Sequence, residues 1–179
     1  MQHMRIRFIV LGVLCGAALS VLFGGRAEAV QLKLVPAVGR HAIGGEFAVD
    51  VKIDTEEKAI NAAQATIVFP PHLLEVKEVS REGSLFTFWL DEPRFANEKG
   101  TVQFVGGTHT GISGGSIQVT RIVFMTKRSG TALVSFEEAA VTASDGSGTN
   151  ILTALHGAQF VLVEDAGGPA PPPPPALAP

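Results

Sequence analysis

The sequence predicts an all-β fold, an antiparallel sandwich of two sheets, and three observations carry that expectation. Apolar residues between positions 31 and 163 recur with a period of two. Turn signals built on glycine or proline interrupt them at roughly the eight-to-twelve-residue spacing of sandwich strands. No stretch there sustains three turns of helical periodicity, residues 56–65 being the single ambiguous one. The alternation has a direct cause: successive strand side chains point to opposite faces, so a strand with one buried and one wet face alternates in polarity.

The clearest strand has Phe47, Val49, Val51 and Ile53 on one face and Glu46, Ala48, Asp50 and Lys52 on the other. A second sets Ala63, Ala65, Ile67 and Phe69 against Ala62, Gln64, Thr66 and Val68, and Pro70-Pro71 ends it because proline has no N–H for the ladder. Further strands are expected at 32–35, 73–79, 86–90, 101–105, 116–126, 131–136, 139–143 and 157–163. Gly44-Gly45, Glu82-Gly83, Lys99-Gly100, Gly106-Gly107, Gly114-Gly115, Ser129-Gly130 and Asp145-Gly146 are the turns between them. In the aromatic run Phe86-Thr87-Phe88-Trp89-Leu90, the two phenylalanines share a face, so with them in the core Trp89 points outward.

The flanks are of different composition. Arg5 and Arg7 precede 16 uncharged residues, 8–23, and Arg26-Ala27-Glu28-Ala29 closes the run with small residues. This is the layout of a signal peptide over residues 1–29, cleaved after Ala29; an uncleaved anchor is the other reading, and the only route to a membrane. Cys15, the single cysteine, belongs to that leader, so the mature domain has no disulfide. Residues 30–164 form one domain. Residues 165–179, with five consecutive prolines from Pro171 to Pro175, read as a semi-rigid linker or tail.

Composition excludes several functions. The net charge of −3 becomes more negative once Arg5, Arg7, Arg26 and Glu28 leave with the leader, which argues against nucleic acid. His41, His72, His109 and His156 show no metal-ligand spacing, and no cofactor motif is present. Gly111-Ile112-Ser113-Gly114-Gly115 matches G-x-S-x-G, with Asp145 and His156 following in hydrolase order. That motif needs a strand turning sharply into a helix, whereas Ile117-Gln118-Val119-Thr120 continues as strand, so a glycine loop is expected. The 145–150 loop has one carboxylate and lacks the terminal Glu of a tight calcium loop. Glu56-Glu57, Asp91-Glu92 and Glu137-Glu138 read as solvated charges near strand ends, and the chain as a binding module, not an enzyme.

Several segments in order carry a family resemblance. They are Leu32-Lys33-Leu34 with Val38-Gly39, then Gly45-Glu46-Phe47-Ala48-Val49-Asp50-Val51, then residues 60–69 running into Pro71-His72-Leu73-Leu74-Glu75-Val76. Gly83-Ser84-Leu85-Phe86, Arg121-Ile122-Val123-Phe124, the Asp145-Gly146-Ser147-Gly148 loop, Ile151-Leu152 and a last strand opened by Gly157 complete the series. Over about residues 30–164 this order resembles the cohesin family. The resemblance implies a jelly-roll sandwich of about nine strands, exported to the cell surface or secreted. It implies a noncovalent partner of dockerin type, held on a sheet face, with calcium belonging to the dockerin. The Asn-x-Asp pair that many members carry on the third strand falls here on Ala62 and Gln64. The expected partner surface contains Gln64 and Thr66 on the outward face of that strand, with Trp89 as an aromatic anchor. A plain solvated face is the alternative for Gln64 and Thr66. A polysaccharide is the alternative partner, though a chain with one Trp and no Tyr offers few rings for stacking on sugars.

Overall fold

The structure, a computed structural model, describes residues 29–164; the expected leader and the Pro-rich segment lie outside the described residues. Eleven strands form two packed sheets, and among the described residues there is no helix. They are β1 (Val30–Val35), β2 (Val38–Ala42), β3 (Glu46–Asp54), β4 (Ile60–Val68), β5 (Leu74–Ser80), β6 (Phe88–Ala96), β7 (Thr101–Ile112), β8 (Ile117–Thr126), β9 (Gly130–Ala143), β10 (Leu152–His156) and β11 (Ala158–Val163). One sheet runs β10-β1-β3-β8-β5 and the other β2-β11-β9-β4-β7-β6. The sandwich is thus as expected, with eleven strands where about nine were expected. The additions, β2 and β10, are five residues each and pair in parallel with β11 and β1. Such short strands containing Gly39, Arg40 or Thr153 have no clear alternation to read.

The alternating residues fill the space between the sheets. Phe47, Val49, Val51 and Ile53 of β3 meet Ala63, Ala65 and Ile67 of β4 in one core that also contains Phe104, Phe124 and Phe160. Phe124 lies 5.7 Å from Phe47 and 5.4 Å from Phe69, and Phe47 lies 4.7 Å from Phe160, in the tilted and offset arrangements that aromatic rings favour.

Two expected boundaries lie inside strands. Residues 131–136 and 139–143 are a single strand, β9, bulged where Thr66 pairs with Glu138 and Ile67 with Phe136, leaving Glu137 as the extra residue. Glu138 is therefore not at a strand end; it stands in the middle of a sheet. Likewise Gly106-Gly107 is not a turn but lies inside β7.

His41 closes one end of the core at some cost. Its ring stacks on Phe47 at 3.8 Å with an interplanar angle of 6°, and its Nε2 is buried without a hydrogen-bond partner. Burial pushes its pKa below the ordinary histidine value. The unfolded chain then binds the proton more readily than the folded one, so His41 favours folding above about pH 6.5 and loses that contribution as pH falls through its lowered folded value. The wild type is expected to lose more stability between pH 7.5 and pH 5 than His41→Phe, measured by urea unfolding. Parallel losses in the two proteins would show that His41 is not the cause.

Candidate functional site

Inter-strand register builds two rows of side chains across the outer face of the six-stranded sheet. Glu138 of β9, Thr66 of β4, Gln103 of β7 and Arg94 of β6 are consecutive partners in one row; Ala140, Gln64, Val105 and Asp91 are the other. Paired residues share a face, and strands lie roughly 4.8 Å apart, so the rows span roughly 14 Å. Between them is a shallow depression of about 210 Å³ lined by Gln64, Thr66, Asp91, Gln103, Val105 and Glu138. Gln64 and Thr66 face outward, as the alternation of β4 predicts.

A bulge in β6 supplies the charged end. In a regular strand, residues three apart face opposite ways, but β6 shifts register between Asp91 and Arg94, so both reach the outer face. The shift falls at Glu92-Pro93, and proline is tolerated because β6 is an edge strand. Arg94 donates to the Asp91 carboxylate and, at 3.5 Å, to Gln103 Oε1; Gln103 Nε2 donates to Thr66 Oγ1 at 3.4 Å. A polar chain thus runs along the row from Arg94 to Thr66. Among the described residues, neither the Gln64 amide nor the Glu138 carboxylate has a hydrogen-bond or ion-pair partner.

Trp89 does not point outward. It pairs with Gly106, whose neighbours Ala63 and Phe104 face the core, and its indole packs 5.6 Å from Phe86 and 6.3 Å from Phe104. A Cβ on Gly106 would stand 2.5 Å from Trp89 Cε3, so glycine makes the room the indole occupies. The expectation failed because Phe86 precedes the strand, which leaves its side chain outside the alternation; beyond Trp89 a register shift leaves Leu90 as an extra residue, 81% exposed. The aromatic residue on the outer side is Phe88, paired with Gly107 beside Ala62 and tilted against His109 at 4.9 Å. Sequence reasoning missed it, since only the pairing to β7 distinguishes Phe88 from Trp89.

The other outer face carries paired charges. On the five-stranded sheet Lys33 meets Asp54 at 2.7 Å, and Arg121 grips Asp50 at 2.7 and 3.3 Å. The Arg121 hydrogen bond holds the Asp50 carboxyl below the usual carboxylate range, and Lys33 does the same for Asp54.

The catalytic and calcium motifs resolve into loops. Ser113 lies between two strands, with Gly114 N–H donating to Thr55 Oγ1 at 2.9 Å. Asp145 accepts from Ser147 N and Oγ at 2.9 and 2.6 Å, in its own loop, while His156 ends β10. Among the described residues no hydrogen bond links Ser113, Asp145 and His156. Asn150 Oδ1 accepts from Val141 N and Leu152 N, both at 3.1 Å, so the oxygens of this loop serve its own backbone.

A family model described as Cohesin domain matches residues 30–155. A search of curated protein sequences found no match. Among solved structures, the seventh ScaB type I cohesin from Pseudobacteroides cellulosolvens is similar with a TM-score of 0.63 at 14% identity, over 77% of this chain and 94% of that one. The Coh-OlpC–Doc435 type I cohesin–dockerin complex from Clostridium thermocellum gives 0.63 at 14%, over 76% and 94%. The non-cellulosomal cohesin from the archaeon Archaeoglobus fulgidus gives 0.59 at 18%, over 77% and 92%. At such identities the likeness speaks for the fold alone, and the family rests on the sequence match over most of the folded region. The chain belongs to the cohesin domain family.

Proposed function

We propose that this chain is an exported, non-catalytic docking module that binds a dockerin-type protein on the outer face of β9-β4-β7-β6. The observation that carries the reading is the open pair of rows through Thr66 and Gln64, polar and shallow, in a sandwich similar to cohesins solved in complex with dockerins. A depression of about 210 Å³ is smaller than ordinary small-molecule sites, roughly 300–1,000 Å³, and suits side chains of a protein partner. Export is supported by the leader composition of residues 1–29.

A polysaccharide partner has less support. Sugar recognition favours exposed flat rings, and the single indole, Trp89, is packed on the core side. A catalytic reading also has less support: the Ser113 loop joins strand β7 to strand β8, and among the described residues no hydrogen bond links Ser113 to Asp145 or His156.

The test is capture by the immobilised full chain from the secreted fraction of the source organism, eluted first with a calcium chelator and then with soluble polysaccharide. The expected result is chelator release of a protein that mass spectrometry identifies as carrying a dockerin module, because calcium would belong to the partner. Release by polysaccharide alone would overturn the reading.

A further inference from the structure

Ala62 and Gln64 leave β4 without a carboxylate on its outward face, yet the face is not without charge. Two acids border the depression, and their situations differ. Asp91 is neutralised by Arg94, three residues along the same bulged strand. Glu138 is brought onto the face by the Glu137 bulge of β9, opposite Thr66, and among the described residues no cation meets it. The depression therefore has one uncompensated negative charge at the β9 end.

The neutral groups around that charge have acceptor oxygens. The Thr66 hydroxyl oxygen receives Gln103, which in turn is held by Arg94, and the free Gln64 amide beside them presents a carbonyl oxygen as well as an amino group. Ala65 and Phe104 beneath are core residues, so the walls stand on a packed floor. The volume, about 210 Å³, admits the end of one side chain.

We infer that the depression is a subsite for one basic side chain of the docked protein, a lysine or arginine, with Glu138 as its counter-ion and Gln64 and Thr66 as neutral acceptors. This rests on the docking reading above and gives it a specificity-determining residue on β9. The partner's cation meets the one unpaired charge lining the depression, while a partner with an acidic residue there meets repulsion.

Two measurements on the full chain test it. In the first, N-acetyl-lysine methylamide, N-acetyl-arginine methylamide and the neutral N-acetyl-norleucine methylamide are titrated while NMR follows the Gln64 and Gln103 side-chain amides and the Glu138 backbone amide. The cationic probes are expected to give saturable shifts that vanish in Glu138→Gln, and norleucine none; equal responses in wild type and variant, or no saturable shift, would overturn the subsite. In the second, the dockerin partner is bound to Glu138→Lys, Glu138→Gln and Thr66→Arg. Glu138→Lys is expected to weaken binding at least tenfold, Glu138→Gln by less, and Glu138→Gln to reduce the salt dependence. If Thr66→Arg abolishes binding while the Glu138 variants bind like wild type, the docking face stands and the subsite falls. If the cationic probes bind as expected and no dockerin binds the wild type, the docking reading falls, and with it the assignment of the subsite to a partner side chain.

Discussion

Gly106→Val is expected to destabilise the domain by about 1–3 kcal/mol or more, the range for forcing extra atoms into a packed site. The Cβ alone would sit 2.5 Å from Trp89 Cε3 and 2.8 Å from Cζ3, so the indole must leave its place between Phe86 and Phe104. Valine favours strands, so intrinsic propensity alone predicts the opposite sign. Trp89 is the single tryptophan, and its emission reports the displacement directly: a red shift is expected as the ring meets water. Because Gly106→Val can fail to fold, the cycle with Trp89→Ala is the firmer measurement. In the Trp89→Ala background the valine should cost much less, giving a coupling above about 0.5 kcal/mol in urea unfolding. An equal cost in both backgrounds would mean that steric exclusion by the indole is not why position 106 is glycine.

That pair of residues marks where the sequence was legible and where it was not. Alternation read residues 46–53 of β3 and 62–68 of β4 correctly because these stretches are central, buried on one side and carry no extra residue of their own, the bulge at Asn61 falling before the second of them, so each side chain's face follows from its parity. It placed Gln64 and Thr66 on the outer surface for the same reason. Parity fails at a bulge, where one extra residue reverses the faces beyond it. β6 and β9 each contain such a shift, which brings Asp91 and Arg94 side by side and lifts Glu138 onto the sheet from an assumed strand end, while Trp89 and Phe88 exchange their expected faces because Phe86, from which those faces were counted, precedes β6. A bulge is a property of two paired strands, and a single chain read in order does not reveal the partner's register.

Gly106-Gly107 shows a second limit. Two glycines read as a turn because glycine tolerates unusual backbone angles, but here both sit in an extended strand and are required by close approach. Gly106 makes way for the indole, while a Cβ on Gly107 would come within 2.2 Å of the Asn61 carbonyl oxygen. The same composition thus serves packing between strands instead of chain reversal, and only the tertiary neighbours separate the two uses.

Thr66→Arg should weaken the dockerin-type partner by about a hundredfold or more, equivalent to about 2.7 kcal/mol. Thr66 is central to the row from Glu138 to Arg94, where a long side chain covers both the Gln64 carbonyl and the depression, and where its guanidinium can pair with Glu138 in place of the partner. The substitution also removes the acceptor of Gln103, which frees one wall of the site. Stability should change by no more than about 0.5 kcal/mol, since position 66 faces outward and no core contact is lost. Ala48→Arg supplies the comparison: position 48 is an exposed outward position of β3 on the opposite sheet, beside the self-neutralised Asp50–Arg121 pair. Equal losses of affinity in the two variants would point to a general effect of added positive charge. A loss confined to Thr66→Arg, with unfolding midpoints unchanged in both, locates binding on the six-stranded face, because the two proteins differ only in which sheet bears the new arginine.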